Sequence, residues 1–391
     1  MVGNAAMIPA YKQAIMSSVV LAVAASAQIP PQPSIITSGP YLQHATKTGI
    51  TILWETREKA SSVVEFGDQT PLASRIAGAD DCDMHEVRIE NLKPQTNYFY
   101  RVISRTTSGR ESVSEVYSLQ TAVEEQTPYA FGVVSDTQTN PPIWGKISML
   151  LFAERPNFVV HAGDIVGEGP KKEQWTNDFL KPAHGLMSRV PIFAILGNHD
   201  QDHANYYRYI CNPAPEHRYT FTYGNAQFFL IDTKRDVSPA SEQYQWLDGE
   251  LARSRATWKF AVHHFSPYSS DENDWGDTWK GQSPRGDLKL RPLVGLYEKH
   301  GLDICFFGHI HDYERTWPIR EDKVDPTRGV IYVQAGGAGG GLEDYAPTRS
   351  WFTAKVHRDH HFLIVSICGK TLNLQAIDQN GILFDQLLLT K

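Results

Sequence analysis

The chain has 391 residues, 41% of them hydrophobic and 21% charged, which is typical of a globular protein with room for two domains. A formal net charge of −7, without a basic run, argues against sequence-independent nucleic-acid binding, so no nucleic-acid partner is expected. Four cysteines are too few for a disulfide scaffold, and no apolar run has the length of a membrane span.

The N-terminus is typical of a secretory signal peptide. A stretch of apolar and small residues from Ile15 to Ala24 precedes Ala25-Ser26-Ala27, which fits a cleavage site of the A-x-A type. We therefore predict a signal peptide over residues 1–27 and a stiff, proline-rich linker over residues 28–33. A cleaved signal predicts that the mature protein is secreted or periplasmic.

Residues 34–122 predict an all-β domain. Short runs alternate apolar and polar side chains with a period of two, and turn signals separate the runs, as in a β-sandwich. Trp54, expected to be buried, and the Leu-x-Pro-x-Thr-x-Tyr turn at residues 92–98 resemble a fibronectin type III-like domain. We expect this domain to have a structural role, packing against the domain that follows.

From residue 129 to residue 391 the pattern changes to alternating strands and helices, which is the signature of an α/β domain. The predicted strands span residues 130–135, 158–161, 192–196, 227–231, 259–262, 304–307 and 329–334. The predicted helices span residues 143–155, 173–189, 241–255 and 289–300. Residues 361–389 read as antiparallel strands with turns at Gly369-Lys370 and Asn380-Gly381.

Five of the predicted strands end in side chains that bind metal ions. In open α/β sheets, ligands bind beyond the carboxyl ends of the strands, so these five ends are expected to converge on one crevice. Carboxylates and imidazoles are common metal ligands, so this crevice is a candidate metal site. The five motifs are Ser135-Asp136-Thr137-Gln138, Ala162-Gly163-Asp164, Leu196-Gly197-Asn198-His199-Asp200, Val262-His263-His264 and Gly308-His309-Ile310-His311.

The order Gly-Asp, Gly-Asn-His-Asp, a late His and Gly-His-x-His resembles the calcineurin-like metallophosphoesterase superfamily. The resemblance spans about residues 131–340. The run His-Asp-Tyr-Glu-Arg-Thr-Trp-Pro at residues 311–318, together with the preceding all-β domain, resembles purple acid phosphatases. The implied fold is an N-terminal all-β sandwich followed by an α/β metallophosphoesterase domain with α-β-β-α layers.

The resemblance implies a centre of two divalent metal ions, zinc, manganese or iron. Asp164 is the implied bridge between the ions. Asp136 and His311 are implied to complete one side of the centre. The other side is implied to take its remaining ligands from three motifs: Asn198, His263 and His309.

The resemblance also implies roles for neighbouring residues. His199 is expected to face the substrate and to stabilise or protonate the leaving group, and Asp200 is expected to orient His199. Spacing alone does not separate His263 from His264, so His264 is the alternative metal ligand. With His263 as the ligand, His264 is expected to contact the substrate together with Asn198 and His199.

Two positions depart from the family pattern. Many metallophosphoesterases have Asp-x-His in the first motif, whereas this chain has Gln138, whose carbonyl oxygen is a candidate weak ligand. Purple acid phosphatases have a Tyr three residues after the bridging Asp, and here that position is Gly167. One metal ion therefore lacks a strong fourth protein ligand. Arg315 is expected to be structural, pairing with Glu314 or a carbonyl group.

The implied activity is hydrolysis of a small-molecule phosphate ester, most simply a monoester, by in-line attack of a metal-bridging hydroxide. Two alternatives stay open. The same site could serve a phosphodiesterase or nucleotide pyrophosphatase, or the departures at Gln138 and Gly167 could mark a non-catalytic binding protein with a degraded site. The sequence makes no prediction of the oligomeric state.

Overall fold

A computed structural model describes residue 1, residues 33–271 and residues 285–391. The predicted signal peptide beyond Met1 and the predicted linker up to residue 32 lie outside the described residues. Within the described parts of the chain, none of the helices combines the length and the apolar character needed to cross a membrane.

The first strands in chain order belong to the N-terminal region and to the start of the α/β region. They are β1 Ile36–Gln43, β2 Ile50–Ala60, β3 Val63–Gly67, β4 Ser74–Ala77, β5 Cys82–Ile89, β6 Asn97–Arg105, β7 Glu111–Val113, β8 Tyr117–Gln120, β9 Tyr129–Val134, β10 Phe158–His161 and β11 Ile192–Ala194. The later strands are β12 Arg218–Tyr223, β13 Ala226–Ile231, β14 Trp258–Val262, β15 Ile304–Phe307, β16 Tyr313–Thr316, β17 Ile319–Arg320, β18 Lys323–Val324, β19 Ile331–Ala335, β20 Thr353–His357, β21 His361–Cys368, β22 Thr371–Asp378 and β23 Leu383–Thr390.

The helices of the described residues all follow strand β9. They are α1 Pro141–Ala153, α2 Lys172–Gln174, α3 His184–Met187, α4 Ala204–Tyr209, α5 Glu242–Arg253 and α6 Arg291–His300. A π-helical segment, Trp175–Leu180, continues α2, and a short 3₁₀ turn, Leu288–Leu290, precedes α6. The sequence predicted one helix over residues 173–189, and that prediction is wrong because Pro182 interrupts the segment between the π-helical turn and α3.

Two large sheets pack face to face. One has nine strands in the order β23-β22-β21-β9-β10-β11-β1-β2-β5, and the other has seven in the order β12-β13-β14-β15-β19-β16-β20. Aromatic side chains fill the space between them, since the ring of Phe131 in β9 lies 5.0 Å from that of Phe228 and 5.5 Å from that of Phe260. The core between the sheets is therefore apolar.

Helices cover the outer faces of both sheets. Trp144 and Leu151 of α1 pack with Val159 on the outer face of the nine-stranded sheet. Leu247 of α5 and Leu293 of α6 pack on the outer face of the seven-stranded sheet. The predicted α-β-β-α layering is confirmed, and it leaves the strand ends of both sheets free to meet at one edge.

The N-terminal region forms a β-sandwich that shares a sheet with the α/β region. Strands β1, β2 and β5 face a smaller sheet of β4, β3, β6 and β7, with β8 paired to β6. Strand β1 also runs parallel to β11, with Gln43 opposite Ile192, so the nine-stranded sheet continues through both regions. The two regions separated in the sequence are thus joined by a backbone ladder.

A buried carboxylate strengthens this junction. Glu55 of β2 is 4% exposed, and its carboxylate lies 2.6 Å from the ammonium of Lys172 and 3.1 Å from the guanidinium of Arg208. The hydroxyl of Tyr209 donates to the same carboxylate over 3.3 Å. Because a buried charge is tolerated only when it is paired, these donors from α2 and α4 tie the sandwich to the site-bearing region.

Candidate functional site

The candidate site lies where the carboxyl ends of two sets of parallel strands meet. Strands β9, β10 and β11 are parallel neighbours in the nine-stranded sheet, and β14, β15 and β19 are parallel neighbours in the seven-stranded sheet. The side chains that follow these strand ends and approach one another are Asp136, Gln138, Asp164, Asn198, His264, His309 and His311.

Oxygen atoms from the nine-stranded sheet form one half of the site. Asp136 and Asp164 are 0% and 1% exposed, and one oxygen of each is held by a backbone amide, from His309 over 3.0 Å and from His199 over 2.7 Å. The second oxygen of each carboxylate, and Oε1 of Gln138, are buried without a hydrogen-bond partner among the described residues. Buried carboxylate and amide oxygens in this state are suited to bind a cation.

His264 contributes nitrogen from the seven-stranded sheet. Its Nε2 lies 3.2 Å from Oδ2 of Asp164 and 2.9 Å from Oδ1 of Asn198. Its Nδ1 lies 2.9 Å from the carbonyl oxygen of Ala162. A carbonyl oxygen only accepts, so Nδ1 carries a proton, and Nε2 is the nitrogen that faces the two oxygens.

His311 repeats this arrangement on the other side. Its Nδ1 lies 2.8 Å from the carbonyl oxygen of Gly341, and its Nε2 lies 3.6 Å from Oδ1 of Asp136 and 3.1 Å from the amide nitrogen of Gln138. His309 adds a third imidazole, because one of its ring nitrogens lies within 4.8 Å of a carboxylate oxygen of Asp164 and of a ring nitrogen of His264. Carboxylate, amide and imidazole atoms in this arrangement fit two adjacent divalent ions of the zinc, manganese or iron type.

Strained backbone aims several of these ligands. Asp136, Asp164 and His309 have φ values of 57°, 53° and 74°, in the left-handed region that non-glycine residues rarely adopt. Each such residue costs roughly 1–3 kcal/mol, which surrounding structure must offset. Gly197 and Gly308 permit the close approach, since a Cβ at either would collide with the carboxylate of Asp164 or Asp136.

The electrostatics of the site favour positive charge between its carboxylates. Burial opposes the charged form of His264, but Asp164 and Asp136 outweigh it and raise the pKa of this imidazole to about 9. Burial also opposes a charge on His311, and Asp136 again raises the pKa to about 9. Divalent ions would take the place of these protons, because a metal binds the deprotonated imidazole.

His199 stands at the mouth of the site. The side chain is exposed, and its Nδ1 lies 2.8 Å from the carbonyl oxygen of Gly167. Nδ1 therefore donates to that carbonyl, and Nε2 is the nitrogen available to a ligand. The backbone at Gly167, the position without a tyrosine, thus orients the imidazole.

The prediction of His263 as a metal ligand is wrong. Its ring is fully buried on the outer face of the seven-stranded sheet, where it stacks on Tyr297 and Phe307, and its Nε2 lies 3.1 Å from Sγ of Cys305. Alternation along β14 explains the error: Val262 faces the core between the sheets, so the next residue faces outward. His264 was assigned to the substrate with the ligand role as the alternative, and its Nε2 is the nitrogen that faces Asp164 and Asn198.

The prediction that Asp200 orients His199 is also wrong. The Asp200 carboxylate accepts from the backbone amides of Gly197, Asp164 and Ile165 over 2.8, 3.1 and 3.0 Å. It therefore fixes the two loops that present Asp164 and Asn198, and it is a positioning residue.

The sequence did not reveal one contact, that of Glu343, and it led to the wrong partner for Arg315. Oε2 of Glu343 accepts from the backbone amide of His311 over 2.8 Å, and no motif marks this residue in its irregular loop. Arg315 is structural, as expected, but its partner is Asp385, with distances of 2.7 and 3.0 Å, and not Glu314.

Comparison with known proteins agrees with this geometry. Residues 129–313 match the family described as Calcineurin-like phosphoesterase, and residues 39–121 match the family described as Purple acid Phosphatase, N-terminal domain. The two matches show that a calcineurin-like phosphoesterase domain follows a purple acid phosphatase N-terminal domain. This confirms the predicted resemblance and the predicted order of domains, while the likeness of the sandwich to fibronectin type III stays a prediction.

Curated relatives carry several activities in their names. The chain is 28% identical to "Probable inactive purple acid phosphatase 27" of Arabidopsis thaliana over 59% of this chain and 41% of the relative. It is 27% identical to "Probable purple acid phosphatase 20" of the same plant over 75% and 72%. It is 26% identical to a "Nucleotide pyrophosphatase/phosphodiesterase" of Hordeum vulgare over 59% and 67%. The chain spans only 40% to 57% of the length of three such relatives.

Solved structures share the fold. The purple acid phosphatase PPD1 from yellow lupin (Lupinus luteus) superposes with a TM-score of 0.80 at 20% identity, covering 90% of this chain and 74% of the other. PhoD superposes with a TM-score of 0.68 at 13% identity, covering 93% and 94%. Both matches extend through the N-terminal sandwich, in keeping with the shared nine-stranded sheet.

Proposed function

We propose that this metallophosphoesterase is a secreted, dinuclear phosphomonoesterase that acts on small phosphate esters. The observation that carries the proposal is the set of buried oxygens without partners, on Asp136, Gln138 and Asp164, facing the Nε2 atoms of two histidines. Two bound divalent ions would supply charge neutralisation of the ester and activation of a water. The predicted signal peptide supports secretion.

The following residues of the chain would hold the two ions. Asp164 would be shared by both ions, as the family resemblance implies. Asp136, Gln138 and His311 would hold one ion. The ligands of the other ion would come from one amide and two imidazoles: Asn198, His264 and His309.

His199 would act on the leaving group. Its Nδ1 proton is held by the Gly167 carbonyl, and that contact also stabilises the ring when Nε2 is protonated. A protonated Nε2 at the mouth of the site would donate to the ester oxygen as it leaves.

A phosphodiesterase or nucleotide pyrophosphatase is the second candidate. A cleft of about 540 Å³ is lined by Phe265, Lys234 and Lys289, among other residues. The ring of Phe265 contacts that of His309 at 4.8 Å, so the cleft begins beside the metal centre. Such a cleft has room for a second substituent on phosphorus, and its lining carries three basic side chains against the carboxylates of Asp236 and Asp287. Comparing nitrophenyl phosphate with bis-nitrophenyl phosphate and a dinucleotide distinguishes the two activities.

The test of the proposed function is Asp164→Ala in the full chain loaded with Zn²⁺, Mn²⁺ or Fe²⁺. We expect loss of hydrolysis and a metal content at least one ion per chain below that of the wild type, because the neighbouring carboxylates of Asp136 and Asp200 are held by other contacts and cannot replace a shared ligand. The matched control is Asp236→Ala, which removes a carboxylate from the rim of the cleft. A wild-type protein that binds metal but hydrolyses none of the esters would support a non-catalytic binding protein instead.

A further inference from the structure

A second cluster of metal-ligating side chains lies apart from the site already described. His357 ends β20 in the seven-stranded sheet, Asp378 ends β22 in the nine-stranded sheet, and Asp359 lies in the connection from β20 to β21. One ligand atom from each lies within 4.8 Å of the other two. The cluster therefore sits where the chain crosses from one sheet to the other.

The cluster carries negative charge without a compensating side chain. Asp378 is 5% exposed, and among the described residues neither it nor Asp359 forms an ion pair with a lysine or arginine, the adjacent Arg358 being paired with Asp344. Two neighbouring carboxylates without a cation are unfavourable in a partly buried position.

Each carboxylate keeps an oxygen for a further partner. Oδ1 of Asp378 accepts from two backbone amides of the following turn, over 2.7 and 2.9 Å. Oδ1 of Asp359 accepts from the amide of His360 over 2.7 Å and from the side chain of Gln379 over 2.6 Å. Local hydrogen bonds thus fix both carboxyl groups and leave their Oδ2 atoms uncommitted within the described parts of the chain.

Two histidine nitrogens beside the cluster also lack partners. Nε2 of His357 and Nε2 of His361 are buried without a hydrogen bond in the described structure. His361 is 0% exposed and stands directly opposite Asp378 in the β21–β22 ladder. The His357 ring is held in place by stacking on Phe384, with centroids 3.9 Å apart. Buried nitrogens without partners are the second sign of an absent ligand.

We propose that His357, Asp359 and Asp378 bind a zinc-type divalent cation that ties the two sheets together. One imidazole and two carboxylates, with a fourth position for water, suit Zn²⁺, whereas Ca²⁺ prefers a shell of oxygens alone. Ligand atoms around a tetrahedral zinc ion lie about 3.4 Å apart, for bonds of about 2.1 Å, so small side-chain rotations close the site. The role is structural, since the cation would join the ends of β20 and β22.

Two substitutions in the full chain test this proposal. His357→Phe keeps a ring to stack on Phe384 and removes only the ligand nitrogen, and Asp378→Asn keeps the oxygen that the turn amides require. After zinc saturation and gel filtration, each variant is expected to hold one zinc ion fewer per chain than the wild type, by elemental analysis. Ester hydrolysis is expected to stay unchanged, and the rise in Tm caused by zinc is expected to shrink.

Controls separate this cluster from the dinuclear centre. His217→Phe, a histidine away from both clusters, is expected to keep the wild-type zinc count, and Asp164→Ala is expected to keep the ion at His357. Asp359→Asn, in a turn, replaces Asp378→Asn should that variant fail to fold. Equal zinc content in wild type and His357→Phe overturns the proposal, as does an imidazolium signal of His357 in NMR spectra at saturating zinc.

Discussion

The two sheets supply opposite kinds of ligand to the candidate metal centre. Every oxygen comes from strand ends of the nine-stranded sheet, and every nitrogen comes from strand ends of the seven-stranded sheet. The candidate oxygen ligands are Asp136, Gln138, Asp164 and Asn198, and the candidate nitrogen ligands are His264, His309 and His311. Neither sheet alone could bind two ions, so the apolar packing between the sheets sets the ligand geometry.

The two sides also differ in burial and charge. Asp136 and Asp164 are at most 1% exposed and carry the negative charge, whereas His309 and His311 are half-buried and open toward solvent. The buried carboxylates of Asp136 and Asp164 can bind cations whether or not a substrate is present. His309 and His311, which lie nearer to solvent, leave room for an anionic ester to approach.

The adjacent pair His263 and His264 gives the largest expected contrast. His264→Ala is expected to lose one metal ion and nearly all hydrolysis, because its Nε2 faces Asp164. His263→Ala is expected to keep both ions and most activity while losing roughly 1–3 kcal/mol of unfolding free energy, since it leaves a cavity against Tyr297. Elemental analysis measures the metal content of each variant, and urea unfolding measures its free energy of unfolding. Metal loss in His263→Ala would restore the assignment made from the sequence.

His199 is expected to give the next largest effect. His199→Ala should keep both ions and reduce turnover by roughly 10²–10⁴-fold, the range for loss of a general acid. The reduction should be smaller for nitrophenyl phosphate than for an alkyl phosphate, whose leaving group needs the proton. His203→Ala, which removes only the side-chain cap of α4, is the control. Equal losses on both esters would argue for electrostatic stabilisation by His199 instead.

Gln138 marks the weaker half of the oxygen side. Gln138→His is expected to tighten the ion held by Asp136 and His311 by roughly 10–100-fold, a size typical of one added metal-site contact. Competition with a chelator measures the dissociation constant of each ion. Gln138→Asn, whose shorter amide withdraws the oxygen, should weaken the same ion. Equal affinities in all three proteins would remove Gln138 from the site.

The smallest expected effect concerns a link between the sheets that involves no metal. Arg315 of β16 pairs with Asp385 of β23, and Tyr313 donates to the same carboxylate over 2.7 Å. Burial raises the pKa of Asp385, but Arg315 and Tyr313 outweigh it and lower the pKa below its usual value. Asp385→Asn is expected to cost about 1–3 kcal/mol of unfolding free energy without altering metal content or turnover.

The sign of the pH dependence follows from that shift. A carboxyl whose folded pKa is lowered stabilises the fold above its unfolded pKa of about 3.9, and the stabilisation disappears as pH falls through the folded value. Urea unfolding should therefore show the full difference between wild type and Asp385→Asn at pH 7, and a difference that shrinks as the pH falls below the unfolded pKa of about 3.9. A difference that persists at low pH would contradict the ion-pair origin.

Ligand types and strand ends were predictable because polar residues directly follow apolar runs. Asp136, Asp164 and His311 occupy the predicted ends because parallel strands place their carboxyl ends at one edge. The choice between His263 and His264 depends on which face of β14 is turned inward, and an isolated apolar run does not specify that. Glu343 reaches His311 through an irregular loop, and loops have no periodicity to read.

Two features of the fold could not be predicted from the spacing of apolar residues. The π-helical turn at Trp175–Leu180 and the break at Pro182 look like one amphipathic helix when periodicity alone is counted. The pairing of β1 with β11 joins residues about 150 positions apart, and such pairings leave no local signature. Alternation predicted the sandwich strands but not the neighbours they would find.

The backbone pairing of β1 with β11 limits how one region can be removed or exchanged without the other. Removing residues 34–122 would strip β11 of its neighbour and present the amides and carbonyls of Ile192–Ala194 as an open sheet edge, a template for aggregation. It would also uncover the surface of α4 that Tyr41 and Glu55 now cover. A chimaera made by swapping only the metal-binding region would therefore need a sandwich whose first strand offers the same edge.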